Sequence, residues 1–390
     1  MNSVSKIRLG IIGGGQLGKM LILASRNLGF YEITILDPDP DCPASKIADH
    51  HIVERWDSEK GIIELSKMSD IITYEVEHTN VDVLKSLERK GKIVRPSAGV
   101  LEIINNKLLQ KRFLLENKLP TAGLIKVNPK AEDFRDLKLP VVQKTCRGGY
   151  DGRGVLIIKD KEDIEKIFPV DSFLEEKVSI KKELAILVAR STRGEIKVYP
   201  LVEMYFNEKN ICDMVIAPAR VPLSIHRKSE KLAIECIKKL DGVGLFAIEM
   251  FLTKDNEVLI NEISPRVHNS GHYTIEASKT SQFEQHLRAI SGLPLGSTEL
   301  LIPAVMVNLL GEPGFEGEPV IEGLEKALSV DGLKFHFYSK PKTFPFRKMG
   351  HFTVLDKSLK GAISKALKIK KVLKIKSQEA RQGWQTGESH

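Results

Sequence analysis

The sequence has little of what marks several large classes of protein. Its 390 residues contain four cysteines, Cys42, Cys146, Cys212 and Cys236, and no Cys-x-x-Cys pair. This spacing argues against a structural zinc site and a disulfide framework, and it favours a reducing compartment, so we expect a cytoplasmic protein. The longest apolar run, LLIPAVMVNLL, contains a proline and an asparagine and falls short of the ~18 residues that a membrane helix requires. We therefore expect no membrane association.

The overall composition is that of an ordinary globular chain, with 42% hydrophobic and 28% charged residues. Its length predicts two or three domains, because single hydrophobic cores stop growing at roughly 250 to 300 residues. The net charge is +8, and much of the excess lies in KSLKGAISKALKIKKVLKIKS, which predicts a C-terminal helix with a solvated basic face. Small anionic substrates explain the remaining positive charge, and we expect no nucleic acid partner.

A glycine-rich motif lies near the N-terminus. The stretch GGGQLG, residues 13–18, follows the apolar run IRLGII and precedes KMLILASRNLGF. Its G-x-G-x-x-G spacing, with Asp37 ending the next strand about 20 residues on, matches the fingerprint of a dinucleotide-binding fold. An NAD-dependent dehydrogenase is therefore one interpretation of the sequence.

Strand-like and helix-like segments alternate from residue 7 to about residue 98. This pattern predicts a parallel sheet with helices on its faces, a Rossmann-like α/β domain at residues 1–98. The stretch LEIINNKLLQKRFLLENKLP then predicts one long helix that opens a second, α+β domain at residues 99–296. Residues 297–390 predict a small C-terminal domain that includes the basic helix.

A second glycine-rich loop lies between two strand-like runs in LPVVQKTCRGGYDGRGVLIIK. Glycine lets a backbone approach phosphate oxygens closely, and Lys144, Arg147 and Arg153 supply positive charge. Taken alone, the loop is more typical of a mobile hairpin with a solvated basic tip than of a phosphate site. The segment SFLEEKVSIKKELAILVARS, which follows, favours a nucleotide pocket, because it offers backbone groups for adenine and Glu183 for ribose hydroxyls.

Two glutamates interrupt apolar runs in GLFAIEMFLTKDNEVLINEIS. A hairpin register with Leu252 opposite Glu257 places Glu249 opposite Ile260, with Glu262 as its diagonal neighbour on the same face. A carboxylate pair in an apolar hairpin is costly without a cation, and oxygen ligands suit Mg²⁺ carrying nucleotide phosphates. We therefore predict a metal site, against the alternative of a surface hairpin with glutamates facing water.

Polar residues crowd the segment directly after this hairpin, which reads RVHNSGH at residues 266–272. Arginine and asparagine side chains beside a metal-bound phosphate are suited to holding a small oxyanion in line with it. A single histidine is more often structural, but the crowding favours a functional segment here.

Motifs that run in order over nearly the whole chain resemble one family. They are GGGQLGKM, YEVEH, QKTCRGGYDGRG, FLEEKVSIKKEL, NEISPRVHNSGHYTIEASKTSQFEQHLRA, GLPLG and RKMGH. The sequence resembles the N5-carboxyaminoimidazole ribonucleotide synthetases of purine biosynthesis, which belong to the ATP-grasp superfamily. The resemblance implies an ATP-grasp fold with a Rossmann-like preATP-grasp domain at the N-terminus and a small C-terminal domain.

The resemblance also implies a reaction. This family is a group of carbon–nitrogen ligases that use ATP, Mg²⁺ and bicarbonate to carboxylate 5-aminoimidazole ribonucleotide. Bicarbonate is a weak nucleophile, and ATP activates it as carboxyphosphate, which can collapse to carbon dioxide beside the amine. The resemblance further suggests a homodimer with small-molecule substrates only.

Roles for individual residues follow from the same resemblance. The nucleotide would be bound by Lys107, Lys144, Gly149, Tyr150, Asp151, Gly152, Arg153, Gly154, Val155, Glu175, Glu176, Lys177, Val178, Glu183 and Glu203. Mg²⁺ would be held by Glu249 and Glu262, with help from Asn261. Bicarbonate and its intermediate would be bound by Arg266, His268 and Asn269. The ribonucleotide would meet Glu77, Tyr150, Asp151 and Arg153, and its phosphate would meet Lys340, Arg347, Lys348 and the amides of Gln16 and Leu17 at a helix N-terminus.

Some features depart from the family pattern or leave rivals open. Ser264 stands where many ATP-grasp enzymes place an asparagine ligand, so metal ligation would rest on fewer groups. The nearest rivals are a biotin carboxylase-like enzyme and a formate-dependent glycinamide ribonucleotide transformylase-like enzyme, which RKMGH argues against. A dehydrogenase does not explain the second glycine loop or the paired glutamates. A catalytically inactive nucleotide sensor on the same fold is a further alternative.

Overall fold

The computed structural model describes residues 6–134, 137–148 and 154–378. Five of the predicted site residues lie outside the described residues, namely Gly149, Tyr150, Asp151, Gly152 and Arg153. Within the described part of the chain, no helix is both long and apolar enough to cross a bilayer.

The N-terminal segment folds around a parallel sheet, as the alternating pattern predicts. Its strands are β1 (Ile7–Ile12), β2 (Tyr31–Leu36), β3 (His50–Ile52), β4 (Ile71–Tyr74) and β5 (Ile93–Val94), in the order β3-β2-β1-β4-β5. The connecting helices are α1 (Gln16–Leu28), α2 (Glu59–Met68) and α3 (Val81–Arg89). Helix α1 ends at Gly29, whose φ of 78° is the left-handed conformation that glycine adopts at little cost.

The segment after β5 contains two helices and not the single long helix predicted. They are α4 (Ala98–Asn105) and α5 (Lys107–Glu116). Asn106 separates them with an extended backbone, and its side chain accepts hydrogen bonds from the amides of Leu108 and Leu109. A local side-chain cap therefore outweighs the continuous helical pattern, because asparagine satisfies amides that a helix start leaves open.

A four-stranded antiparallel sheet follows. Its strands are β6 (Leu124–Val127), β7 (Val141–Thr145), β8 (Val155–Ile158) and β9 (Ser172–Glu176), in the order β6-β9-β7-β8. Strands β7 and β8 are adjacent and antiparallel, which confirms the predicted hairpin around the second glycine loop.

The largest sheet has nine strands. Eight of them lie in the order β15-β14-β10-β12-β13-β16-β19-β18, and β11 pairs with the free part of β10. The strands are β10 (Ile180–Arg190), β11 (Ile196–Val198), β12 (Val202–Phe206), β13 (Cys212–Ala217), β14 (Gly244–Thr253), β15 (Val258–Ser264), β16 (Ala304–Leu310), β18 (Leu333–Phe337) and β19 (Lys348–Leu355). A separate pair is formed by β17 (Pro319–Glu322) and β20 (Lys374–Ser377). The large sheet thus continues past residue 296, so the C-terminal segment is hydrogen-bonded to the segment before it.

Helices cover this sheet and bring the N-terminal segment against it. They are α6 (Leu223–Leu240), α7 (Thr274–Ala277), α8 (Gln282–Ser291), α9 (Leu324–Leu328) and the predicted basic helix α10 (Leu359–Val372). Buried side chains of α1, such as Leu21, share one apolar cluster with Phe283 and Leu287 of α8 and with Leu245 of β14. Burial of such apolar area is the main force that holds the two parts together. It positions the segment after β4 near the end of β15.

Candidate active site

Two glutamates face each other across the β14–β15 hairpin. The structure pairs Glu249 directly with Glu262. The expected register, with Leu252 opposite Glu257 and Glu249 opposite Ile260, was wrong by two residues at Glu249. Leu252 pairs with Val258, one residue further on, and a β-bulge after Glu249 adds the second residue and leaves Asn261 outside the pairing. Directly opposed residues have Cβ atoms about 4.5 to 5.5 Å apart, closer than diagonal neighbours. The two carboxylates are therefore nearer to each other than the sequence predicted.

The electrostatics of this pair favour a cation between the carboxylates. Burial, and then the charge of Glu262, raise the pKa of Glu249 to about 8. Burial opposes the charged form of Glu262 as well, but Lys107 outweighs it and lowers the pKa of that carboxyl. The Nζ atom of Lys107 lies 2.6 Å from Oε2 of Glu262. One of two adjacent carboxylates thus has a lysine, and the other is left with a strong preference for a proton or a metal ion.

A cleft beside the pair is lined by lysines. It is lined by Lys107, Gln110, Lys111, Leu114, Lys144, Phe173, Asn261 and Glu262. The buried carboxylate of Glu175 joins two of the lysines, with Lys144 at 2.6 Å and Lys111 at 2.9 Å. Lys144 also donates to Oδ1 of Asn261 at 2.9 Å. The structure therefore brings Lys107, Lys144, Glu175, Asn261 and Glu262 together, as a phosphate-binding cleft requires.

Lys111 was not predicted. It lies one helical turn after Lys107 on α5, and that spacing of four residues puts both side chains on one face of the helix. Burial lowers the pKa of Lys111, although Glu175 opposes that shift. The spacing is the signal that could have found it.

Two further glutamates predicted for the nucleotide lie on β10 and β12 of the large sheet. Glu203 accepts two hydrogen bonds from Arg220, each of 3.0 Å, and one of 2.6 Å from Lys182. Burial opposes the charged form, but these partners lower the pKa of Glu203 to about 2. Glu183, which lies on β10 opposite Met204, has a pKa raised by burial. Glu203 is thus a fixed anion among cations, and Glu183 is a carboxyl with spare hydrogen-bonding capacity.

The predicted oxyanion segment lies directly beyond β15, and we call residues 266–272 the oxyanion loop. Its Arg266 forms an ion pair with Glu77 of the N-terminal segment, with Nε 3.0 Å from Oε1. Its His268 has Nε2 3.6 Å from Oε1 of Glu249. Burial, and then the charge of Arg266, lower the pKa of His268 well below its usual value, so the ring is neutral. Residues predicted for bicarbonate, metal and acceptor substrate therefore meet at one point.

Asn269 is held by an amide that the sequence analysis missed. Its Nδ2 donates to Oδ1 of Asn308 on β16, and Nδ2 of Asn308 donates back, each at 2.8 Å. Asn308 also donates to the backbone carbonyl of Cys212 at 2.8 Å. This reciprocal pair ties the oxyanion loop to the C-terminal part of the large sheet.

Carboxylates already occupy much of the N-terminal glycine motif. The buried side chain of Asp37 accepts from the amide of Gly14 at 2.7 Å. The buried side chain of Glu75 accepts from the amides of Gly15 and Gly18, the latter at 2.7 Å. These contacts argue against a dinucleotide site. Asp37 is the acidic residue that would bind the ribose in such a site, but here it bonds to the glycine motif itself.

Two amides of the motif have no hydrogen-bond acceptor among the described residues. No described residue accepts a hydrogen bond from the backbone amides of Gln16 and Leu17, which open helix α1. Among the carboxylates in the part of the chain that the structure describes, only Glu75 bonds to the first turn of this helix. The positive end of the helix dipole is therefore partly available.

Basic residues of the C-terminal segment approach this helix end. Lys19 donates from α1 to the carbonyl of Phe337 and to Oγ of Ser339, each at 3.2 Å. Burial lowers the pKa of Lys19. Lys340, the next residue, donates to the carbonyl of Lys348 at 2.8 Å. These contacts join the first turn of α1 to the segment that carries the predicted phosphate ligands.

The remaining two predicted phosphate ligands lie differently. The charge of Lys348 acts on the pKa values of Glu249, His268 and His272, which places it on the side of the oxyanion loop. Arg347 donates to the carbonyl of Lys342 at 2.7 Å and is near enough to Asp39 for that charge to act on it. These two neighbouring residues thus lie near different groups, Arg347 near Asp39 and Lys348 near the oxyanion loop.

The donors at the carboxylate pair fit a magnesium ion. The described residues contain no cluster of three or more acidic, histidine or cysteine side chains with metal-site geometry. Two carboxylates suffice for Mg²⁺, which usually keeps waters and takes its other ligands from substrate phosphates. The raised pKa of Glu249 and the bond from Lys107 to Glu262 are what such a site displays without its ion.

Comparisons with known proteins match three successive parts of the chain. Residues 6–105 match the ribonucleotide synthetase preATP-grasp domain, residues 112–283 the ATP-grasp domain, and residues 304–365 the phosphoribosylaminoimidazole carboxylase C-terminal domain. These matches confirm the expected ATP-grasp fold with its preATP-grasp and C-terminal parts.

Individual relatives agree with these matches. The N5-carboxyaminoimidazole ribonucleotide synthase of Bacillus subtilis (strain 168) is 41% identical over 354 residues, which cover 89% of this chain and 91% of that protein. The crystal structure of the N5-carboxyaminoimidazole ribonucleotide synthetase from Thermotoga maritima is 50% identical, with a TM-score of 0.90 and coverage of 95% and 100%. The Aspergillus clavatus synthase, crystallised with ADP and 5-aminoimidazole ribonucleotide, is 31% identical, with a TM-score of 0.85 and coverage of 94% and 98%.

The chain spans about two thirds of the length of the curated plant and fungal relatives that it matches. It covers nearly all of the bacterial relatives from Bacillus subtilis and Aquifex aeolicus. The chain therefore belongs to the N5-carboxyaminoimidazole ribonucleotide synthase family of the ATP-grasp superfamily.

Proposed function

We propose that this chain carboxylates 5-aminoimidazole ribonucleotide with bicarbonate, at the cost of ATP, and releases N5-carboxyaminoimidazole ribonucleotide, ADP and phosphate. One observation carries the proposal. The opposed pair of Glu249 and Glu262 lies beside a lysine-lined cleft and also contacts the oxyanion loop, with His268 3.6 Å from Glu249. A phosphoryl donor in the cleft and an oxyanion on the loop would thus meet at the carboxylate pair.

The nucleotide would enter the cleft by exchanging partners with the lysines. Lys107 and Lys144 now bond to Glu262 and Glu175, and phosphate oxygens would take their place. We assign adenine to the strand exit of β9, formed by Glu175, Glu176, Lys177 and Val178, and the ribose hydroxyls to Glu183. Glu203 would line the pocket through the cations that it fixes. Gly154 and Val155 would cover the phosphates from β8, together with the loop residues outside the described chain.

Magnesium would be held by Glu249 and Glu262, with Asn261 beside them. When bound, the ion supplies positive charge that offsets the anions converging on the transferring phosphoryl group. Lys107, which now bonds to Glu262, would then be available to the phosphates. Ser264, on β15 opposite Ala247, stands where many related enzymes have an asparagine ligand, so the ion would depend on two protein carboxylates.

Bicarbonate would bind to Arg266, His268 and Asn269. The guanidinium of Arg266 provides positive charge. The ring of His268 is neutral, so it can form a hydrogen bond without acting as a strong acid toward the bound anion. Attack of the bicarbonate oxygen on the γ-phosphorus would form carboxyphosphate and ADP. Collapse of carboxyphosphate to carbon dioxide and phosphate beside the substrate amine, followed by C–N bond formation and loss of the amine proton, completes the reaction. Positioning and electrostatic stabilisation would carry the rate.

The ribonucleotide would reach across from the N-terminal segment. Glu77 is in place beside Arg266, and we assign Tyr150, Asp151 and Arg153, which lie outside the described residues, to the same substrate. Its phosphate would meet the amides of Gln16 and Leu17 together with Lys340 and Arg347. Lys348 would act nearer the reacting groups. A homodimer and a cytoplasmic location remain predictions, which sedimentation analysis and fractionation of the source cells would test.

The experiment is an ADP-release assay with purified chain and Mg-ATP. We expect ADP release that needs both bicarbonate and aminoimidazole ribonucleotide and that matches product formation one to one. Replacing bicarbonate by formate, and the ribonucleotide by glycinamide ribonucleotide or biotin, distinguishes the other ATP-grasp reactions. Absence of ribonucleotide-stimulated ADP release would overturn the proposal.

A further inference from the structure

The oxyanion loop is held by a buried glutamine that has no assigned role. Gln282 is the first residue of helix α8, which Ser281 caps, and its side chain is fully buried. Its Oε1 accepts from the backbone amide of His268 at 2.9 Å, and its Nε2 donates to the backbone carbonyl of His268 at 2.8 Å. The same Nε2 donates to Nδ1 of His272 at 3.0 Å. One side chain thus bonds the loop at two residues, His268 and His272.

The backbone of His268 fixes which way this amide points. A backbone N–H can only donate and a backbone C=O can only accept, so Oε1 must face the first and Nε2 the second. The Nε2 group therefore faces Nδ1 of His272, which must accept. The ring of His272 then carries its proton on Nε2. Burial, and then the charge of His336, lower the pKa of His272 to about 3, which agrees with a neutral ring.

The oxyanion loop also packs closely against the side chain and the backbone of Gln282. A Cβ atom on Gly271 would lie 2.4 Å from Oε1 of Gln282, so only glycine fits there. Oγ1 of Thr274 accepts from the amide of Gln282 at 2.8 Å and donates to the carbonyl of Gly271 at 2.6 Å. The loop is thus held at His268, Gly271 and His272 by the start of one helix.

We propose that Gln282 is a positioning residue that fixes the oxyanion loop in the geometry that couples ATP cleavage to carboxylation. This inference rests on the proposed function. Gln282 lies behind the loop and contacts neither the lysine cleft nor the carboxylate pair. Its loss should therefore spare ATP binding and displace Arg266, His268 and Asn269 from the bicarbonate and its intermediate. Carboxyphosphate that is held poorly hydrolyses, so ADP would form without product.

The chain offers a matched control on the same helix. Gln285 is also fully buried and also bonds one residue's backbone twice. Its Nε2 donates to the carbonyl of Gly296 at 2.9 Å, and the amide of Gly296 donates to its Oε1 at 2.7 Å. Gly296 lies in a connection to β16, away from the oxyanion loop. A change at Gln285 removes the same chemistry from the fold without touching the loop.

The test compares Gln282→Met with Gln285→Met, after thermal unfolding has shown the temperature range in which both variants are folded. We expect Gln282→Met to lower kcat for product by about 10- to 100-fold, because a misplacement of about 1 Å can cost that much. The ratio of product to ADP should fall at least about threefold and KM for bicarbonate should rise, with KM for ATP unchanged. Gln285→Met should keep the wild-type ratio and both KM values. Equal product-to-ADP ratios in the two variants would overturn the inference.

Two further measurements keep the outcomes distinct. Gln282→Glu retains the acceptor for the amide of His268 but loses the donor, and we expect its product-to-ADP ratio to fall as well. The tautomer of His272 can be measured in the wild-type chain, so this test does not depend on a folded Gln282 variant. Nitrogen-15 NMR, with the His272 signals assigned by comparison with His272→Asn, should show the ring protonated on Nε2. Protonation on Nδ1 would refute the orientation of Gln282. A wild-type chain without bicarbonate-dependent ADP release would refute the proposed function. If the wild type and Gln282→Met both form one product for each ADP released, only the role of Gln282 is refuted.

Discussion

The opposed glutamates should destabilise the protein whenever no divalent cation is bound, and we expect Glu249→Gln to relieve that cost. Burial and the charge of Glu262 raise the pKa of Glu249 from 4.5 to about 8. Between these pH values the folded state keeps a proton that the unfolded state has lost, so the free energy of unfolding falls as pH rises. With 1.36 kcal/mol per pKa unit, the fall from pH 6 to pH 8 amounts to about 2 kcal/mol.

The assay is urea unfolding in EDTA at pH 6, 7 and 8. The wild type should lose stability with rising pH, whereas Glu249→Gln lacks the titrating group and should not show this loss. The stability of the variant relative to the wild type should therefore increase by about 2 kcal/mol between pH 6 and pH 8. Adding Mg-ADP should stabilise the wild type more than the variant, because only the wild type offers the ion both carboxylates.

Glu203→Gln is the matched control for this experiment. It makes the same chemical change on the same sheet, but Glu203 is already paired with Arg220 and Lys182, and its pKa is about 2. Both states are then ionised throughout the tested range, so this variant should lose stability by the same amount at pH 6 and pH 8. A Glu249→Gln effect that is equally independent of pH would refute the account of the carboxylate pair.

Three other changes test neighbouring parts of the site. Glu262→Gln should lower turnover by at least about 100-fold with the fold intact, because it removes a proposed metal ligand. Steady-state rates measure the turnover and circular dichroism checks the fold. Retained activity would contradict the metal site. Arg266→Ala should release ADP without matching product, and unchanged coupling would count against its role with bicarbonate. Lys19→Met should raise KM for the ribonucleotide about 10-fold with kcat nearly constant, since a charge-assisted hydrogen bond is typically worth about 1.5 to 3 kcal/mol. A KM within twofold of wild type would show that Lys19 does not bind the phosphate of the ribonucleotide.

Local sequence patterns were sufficient for much of the fold. The apolar run IRLGII became strand β1, and QLGKMLILASRNL became helix α1 with the expected bounds. Such segments have a strong period and clear end signals, so neighbouring residues alone determine them. The break at Asn106 was missed because it depends on one side-chain cap inside an otherwise continuous helical pattern. The bulge after Glu249 was missed because one extra residue leaves the apolar pattern of the hairpin largely unchanged.

The candidate site was predictable only in part, for a related reason. Residue types and motif spacing pointed to Lys107, Lys144, Glu249, Glu262 and Arg266, and the structure brings them together. The supporting partners come from distant parts of the chain, as with Asn308 on Asn269 and Gln282 on His268. The sequence does not indicate which group the side-chain amide of a buried asparagine or glutamine will bond to, since that depends on how helices and sheets pack.

The N-terminal glycine motif illustrates how such partners decide function. A dinucleotide needs the amides of this turn for its pyrophosphate, and here three of them bond to Asp37 and Glu75. A pyrophosphate would have to displace two buried carboxylates of its own charge sign, which is unfavourable. The two amides that open α1 are left for the single phosphate group that we propose there, with Lys19 and its neighbours close by. The motif thus builds a helix end suited to an anion, and the carboxylates that follow β2 and β4, the two strands on either side of β1, oppose a pyrophosphate there.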